Sequence, residues 1–233
     1  MTEYNSLEKI RLQKLEELRA EGVETYPTRA QRTHMSRDAI AEFEDAEKEG
    51  REVKVTLAGR IRALRPMGKI SFAHIEDGSG KIQLFFRLNE VGKENLDFFN
   101  KMFDIGDFIQ AEGMIFRTKT GEVTLHVHSF KLLAKSISPL PADKDETLED
   151  GTVVRHAALE DRELRARQRY ADLAVNPDVR ETFRKRAAII KALRTFLDDQ
   201  GFVEVETPIL QPIYGGAAAR PFVTYHNELE QQM

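Results

Sequence analysis

"ISFAHIEDGSGKIQLFFR", residues 70–87, decides what the chain is built around. Two runs of alternating apolar and polar residues flank Gly78-Ser79-Gly80, the pattern of a β-hairpin closed by a short glycine loop. Upstream, VKVTLAGRIRA (53–63) keeps the same period. Val53, Val55, Leu57, Ile61 and Ala63 alternate with Lys54, Thr56, Arg60 and Arg62, as in a half-buried strand. Downstream, NLDFFNKMF (95–103) switches to helical spacing. DFIQAEGMIF (107–116) and EVTLHVHSFKLL (122–133) return to strands, joined by the turn RTKTGE (117–122).

Three strands, a helix and two strands within about a hundred residues is the order of an OB barrel, whose strand 2 and 3 face commonly binds single-stranded nucleic acid. Another small α+β domain satisfies the same order. Ahead of this region, NSLEKIRLQKLEELRAEG (5–22) reads as a helix capped by Asn5 with Glu8 three residues on, and stopped at Gly22. SRDAIAEFEDAEKEGRE (36–52) reads as a second, mostly solvated helix. After it, SPLPADKDETLEDG (138–151) is acidic, proline-bearing and poor in apolar residues, as a linker is.

The helical period then returns. EDRELRARQRYADL (160–173) is expected as one helix. In NPDVRETFRKRAAIIKALRTFLDDQG (176–201), Asn176 caps, Pro177 takes the first turn, and Gly201 ends the helix. Phe183, Ala187, Ile190, Leu193 and Leu197 form its expected buried stripe. FVEVETPIL (202–210) reads as a strand ended by Pro208. The spacing of elements therefore divides the chain into a helical segment at 1–50, a barrel at 51–137, a linker at 138–160 and a last portion at 161–233.

The chain has 233 residues and no cysteine, which removes disulfides and thiolate metal sites and fits a reducing, cytoplasmic setting. No apolar run approaches the roughly 20 residues of a membrane span. A net charge of −4 does not exclude RNA, because the local distribution of charge governs that contact. No phosphate loop, GxSxG elbow or HExxH helix is present, so any ATP chemistry needs another fold.

On the barrel, Phe72 and Gln83 lie on successive strands, with Arg65 at the end of the strand before. A ring stacks on a base, an amide bonds its edge, and a guanidinium holds phosphate. Phe72 equally fits a core position in step with Ile70, and Gln83 an ordinary outward one. Arg162, Arg165, Arg167 and Arg169 suit an RNA backbone or a solvated face balanced by nearby acids. His126 and His128 share one face of a strand, and no further ligands accompany them as a metal pair would require. YGGAAARPF (214–222) is almost without side chains, which suits a backbone brought against a packed neighbour or a small polar ligand.

Five stretches together resemble the amino-terminal part of class II lysyl-tRNA synthetases, over essentially the whole chain: MGKISFAHIEDGSGKIQLFF (67–86), KTGE (119–122), RQRYADL (167–173), FLDDQGFVEVETPIL (196–210) and GGAAARPFVTYHNEL (215–229). The resemblance implies an α+β chain: a five-stranded OB barrel with an amino-terminal helix, then the start of an antiparallel class II catalytic domain. It implies that the barrel binds the anticodon of tRNA(Lys), with Phe72 stacking, Gln83 reading a base, Arg65 beside them, and Glu122 as a weaker contact. Phe183 to Pro208 is similar to the class II motif 1, so Phe183, Gly201 and Pro208 mark an expected homodimer interface. Gly215, Gly216 and Ala217 would offer backbone to lysine.

The implied activity is ATP- and Mg2+-dependent ligation of lysine to tRNA through lysyl-adenylate, with neither DNA nor a membrane as partner. Motifs 2 and 3 of the family are not in this sequence, so no catalytic or metal-binding residue is assignable. The expectation is a fragment that binds tRNA without aminoacylating it. The other reading is a stand-alone OB-fold RNA-binding module.

Overall fold

The computed structural model describes residues 4–141, 144–147, 153–156, 159, 161–213 and 220–233. They fall into two compact units, 1–158 and 159–233. In the first unit, helix α1 (Ser6–Ala20) opens with the expected capping box. Asn5 accepts from the Glu8 N–H, and the Glu8 carboxylate accepts from the Asn5 N–H. Helix α2 (Ser36–Glu49) is less solvated than its charge suggests, burying Ala39, Phe43 and Ala46. Its first N–H groups are satisfied from a distance: Asp77 accepts from the Ser36 N–H, and Ser79 Oγ from the Arg37 N–H.

Five strands then close into a barrel in the order β1-β2-β3-β5-β4. They are β1 (Lys54–Met67), β2 (Ile70–Glu76), β3 (Lys81–Arg87), β4 (Phe108–Arg117) and β5 (Val123–Ala134). All neighbours are antiparallel except β3 and β5, which run parallel and complete the closure. This is the five-stranded OB barrel expected from the sequence. Inward residues Val55, Leu57, Ile61, Ile75, Leu84, Ile109, Leu125 and Val127 are all at most 1% exposed, and no sheet edge is left open. Between β3 and β4, a turn of helix α3 (Leu88–Val91) leads into α4 (Lys93–Met102), which plugs one end. Its Phe99 stacks on Phe86 at 4.0 Å, and Phe130 meets both rings edge-on.

Several local irregularities shape the barrel, among them these two. At Gly113, an added Cβ would lie 1.8 Å from the His126 carbonyl oxygen, so β4 approaches β5 there only because that position has no side chain. In β1 the pairing with β2 slips between Ile61 and Ala63, so Arg62 is an extra residue. The simple alternation expected along 53–63 therefore ends at Ile61. Ala63 pairs with His74, and Arg65 with Phe72.

α1 is fastened to the far end of β5 by charge. Arg11 donates to the carbonyls of Ile105 and Ser136, both at 3.0 Å. Lys135, 3% exposed, donates to the Met102 carbonyl, Asp104 and Asp107, and Lys14 also reaches Asp104 at 2.8 Å. Burial pushes Asp107 up. Burial acts the same way on Asp104, but the hydrogen bonds from Lys135 and Lys14 outweigh it and hold that carboxyl below its ordinary range.

The segment expected as a linker contains a short hairpin, β6 (Lys144–Thr147) against β7 (Val153–His156). Four-residue strands are too short to show a period, so composition alone reads them as connection.

In the second unit the expected single helix at 160–173 is two, α5 (Arg162–Arg167) and α6 (Arg169–Val175). They are broken at Gln168, whose φ/ψ of −109°/51° is not helical. The break lets Arg165 and Arg169 converge on Asp172, whose side chain is fully buried, while Arg167 pairs with Glu163. Helix α7 (Pro177–Asp199) starts at its proline and stops before Gly201, whose φ of 82° suits glycine. Asn176 makes no side-chain cap bond; its amide nitrogen instead donates to Asp172 at 2.7 Å.

The stripe expected to be buried on α7 is exposed: Phe183, Ile190, Leu193 and Leu197 all face solvent, and no α7 side chain is buried. Residues 202–208 form no strand, because a strand needs a neighbour's N–H and C=O groups and no described segment supplies them. The unit ends in a two-residue pairing of β8 (Tyr225–His226) with β9 (Gln231–Gln232).

Candidate nucleic-acid interface

The outer faces of β1, β2, β3 and β5 carry two rows of side chains in register. The first is Arg65, Phe72, Phe85, His126; the second is Ala63, His74, Gln83, Thr124. The bulge at Arg62 is what brings Arg65 into the first row. Without the extra residue, Arg65 would share the inward parity of Leu57 and Ile61. Arg65 is exposed and makes no ion pair among the described residues.

The first row is a run of rings. Phe72 lies 5.0 Å from Phe85, which lies 5.3 Å from His126 and 5.9 Å from Phe116. All four rings are partly exposed on the outside of a barrel whose interior is already full. A flat, half-covered aromatic surface gives a nucleobase a face to stack on. Burial pushes the His126 pKa down, Glu90 opposes the shift, and the neighbouring His128 and Arg87 add to it. Its Nε2 is buried and has no hydrogen-bond partner among the described residues.

The second row is polar and tightly bonded. Gln83 Nε2 donates to Glu122 Oε2 (2.8 Å), and Gln83 Oε1 accepts from Thr124 Oγ1 (2.9 Å). The other Glu122 oxygen meets His74 Nε2 at 2.9 Å. Glu122 sits at the end of the β4–β5 turn, where Thr118 accepts the Glu122 N–H and donates its own N–H to the Glu122 carbonyl. Gln83 is 9% exposed, less than an ordinary outward residue, because these neighbours cover it.

Arg65, Phe72, Gln83 and Glu122, which sequence reasoning singled out, thus lie on one face. Sequence reasoning missed His74, Phe85 and Thr124. The signal for them was present, since His74 and Phe85 lie two residues from Phe72 and Gln83 and so share their face. The other chosen positions lie in the second unit. Phe183 is exposed with the Arg169 guanidinium 5.7 Å from its ring centre. Gly201 follows α7, and Pro208 lies in the unpaired segment. Gly215, Gly216 and Ala217 lie outside the described residues. Among the described residues no three acidic, histidine or cysteine side chains converge as a metal site would need, and no helix is long and apolar enough to cross a membrane.

Residues 55–133 match the family described as "OB-fold nucleic acid binding domain", and residues 161–233 match "tRNA synthetases class II (D, K and N)". An OB-fold domain followed by class II synthetase sequence makes the chain similar to class II aminoacyl-tRNA synthetases. Within that class, the chain is similar to the lysine–tRNA ligases. It is 47% identical to that of Pelotomaculum thermopropionicum over 231 residues, 49% to that of Clostridium novyi over 232, and 48% to that of Carboxydothermus hydrogenoformans over 231. Each match covers 99% of this chain but only 42 to 44% of the relative, so the chain spans less than half the length of the curated relatives it matches.

Proposed function

We propose that the chain serves lysine–tRNA ligation, with its barrel reading the anticodon of tRNA(Lys). The observation that carries this reading is the outer barrel face, where Arg65, Phe72 and Gln83 offer a cation, a stacking ring and an amide within adjacent strands. Phe72 stacks one unpaired base, Gln83 bonds its edge, and Arg65 holds backbone phosphate. Residues 161–233 argue against a stand-alone RNA-binding module, since such a module has no use for class II synthetase sequence.

The whole activity joins lysine to tRNA through lysyl-adenylate, at the expense of ATP and with Mg2+. No described residue is assigned to ATP or Mg2+. The exposed apolar face of α7, from Phe183 towards Gly201 and Pro208, is assigned to a homodimer interface. Gly215, Gly216 and Ala217 are assigned to the lysine site. The working compartment is the cytoplasm.

Binding of a fluorescent RNA hairpin bearing a lysine anticodon tests the reading. Stacking is worth about 1–3 kcal/mol per base, so Phe72→Ala weakens binding about 5- to 150-fold. Unchanged affinity in both Phe72→Ala and Gln83→Ala assigns the wrong face.

A further inference from the structure

An amide that reads a base does so by the order of its donor and acceptor. Rotating Gln83 by half a turn about its last bond exchanges Oε1 and Nε2 with almost no change of shape. Uracil presents an acceptor (O4) beside a donor (N3–H). Cytosine presents a donor (the 4-amino group) beside an acceptor (N3). A freely turning amide satisfies both and distinguishes neither.

Four groups touch the Gln83 pair of atoms or hold what touches them, and they do not contribute equally. The Thr124 hydroxyl both donates and accepts, and it also lies 3.2 Å from the Glu122 carbonyl, so it tolerates either orientation of the amide. The Glu122 carboxylate, 2.8 Å away, only accepts, so it tolerates Nε2 and repels Oε1. His74 fixes which carboxylate oxygen is available by engaging the other at 2.9 Å, and the Thr118 bonds hold the turn that carries Glu122. With Nε2 committed to Glu122 and Oε1 to Thr124, one N–H and one lone pair of Gln83 remain for a ligand, in a fixed order.

We propose that Glu122, held by His74, is the specificity-determining residue of this face: it locks the Gln83 amide in one orientation and so selects uracil over cytosine. Glu122 then acts on the base through Gln83, and His74 is a positioning residue. The inference rests on the anticodon reading above. Lysine codons demand uridine in the middle of the anticodon, which makes uracil the selected base.

The test measures binding of the 233-residue chain to two RNA hairpins that differ only in a middle uridine or cytidine. A locked amide favours the uridine hairpin about 5- to 150-fold, the range of one good bidentate contact. In Glu122→Gln the size is kept but the acceptor-only character is lost. The preference then falls below about threefold, while affinity for the uridine hairpin drops less than about tenfold. His74→Ala lowers the preference in the same direction, and His74→Gln, which still donates an N–H, restores it.

A preference unchanged in Glu122→Gln overturns the inference, as does equal loss of both hairpins. If either occurs while Phe72→Ala still weakens binding, the anticodon reading stands and only the lock is refuted. If the unaltered chain binds neither hairpin, or Phe72→Ala changes nothing, the reading falls and the lock with it.

Discussion

Replacing Lys135 with methionine isolates the charge network that ties α1 to the barrel. The ammonium has three N–H bonds to give, and the Met102 carbonyl (2.7 Å), Asp104 and Asp107 (2.8 Å) take them. Methionine is also long, unbranched and flexible, so little packing is lost and the cost is electrostatic. Asp104 keeps Lys14. Asp107, whose side chain is fully buried, keeps only backbone N–H bonds from Asp104 and Ser136 and loses its counter-charge.

Breaking a buried ion pair from one side costs about 3–5 kcal/mol. The two surviving N–H bonds put the expected loss near the lower end, about 3 kcal/mol. With a urea slope of about 2 kcal/mol per molar, the midpoint falls by about 1.5 M. Urea unfolding followed by circular dichroism reads this. Hydrogen exchange of the Leu57 and Ile109 amides assigns the change to the barrel rather than to the carboxy-terminal unit. Adding Asp107→Asn to Lys135→Met neutralises the orphaned carboxylate and recovers about 1 kcal/mol or more. A loss under about 1 kcal/mol for the single substitution, or no recovery in the double, refutes the claim that this cation compensates Asp107.

Three further outcomes follow from single positions. Gly113→Ala places a methyl group into the His126 carbonyl and costs about 2–3 kcal/mol by the same urea assay; a midpoint within error of the unaltered chain contradicts the close approach. Burial pushes Asp77 up, but hydrogen bonds from Ser36 and Ser79 outweigh it, so its folded pKa lies below the ordinary 3.8. A depressed carboxylate stabilises fully above its ordinary value and loses that contribution as pH falls through the folded one. Asp77→Asn therefore costs about 1 kcal/mol at pH 7, and the difference shrinks below about pH 4; a gap that widens on acidification has the wrong sign. Arg65→Gln should reduce the salt dependence of RNA-hairpin binding by about 0.7 in the log–log slope, the value for one phosphate on a single strand, and an unchanged slope removes Arg65 from the backbone contact.

Much of the architecture was legible because it is local. The capping box at Asn5 and Glu8, the proline start of α7 and its glycine stop, and the period-two runs of the five strands all act over a few residues, and all recur in the structure. The readings that failed depended on which group a side chain meets and on what covers it. Asn176 looked like a cap, but its amide nitrogen donates to Asp172 instead. The α7 stripe looked buried, but periodicity says only which side chains can be buried together and not what covers them.

The sequence by itself determined the order of strands and helices, the residue types available to meet RNA, and the resemblance that the family matches bear out. The tertiary structure decided which of those residues share a surface and in what state. One extra residue at Arg62 turns Arg65 to the Phe72 face, and a turn 39 residues beyond Gln83 delivers the carboxylate that orients its amide. Register slips and long-range hydrogen bonds leave no local period. They exist only once the barrel closes and brings β3 beside β5.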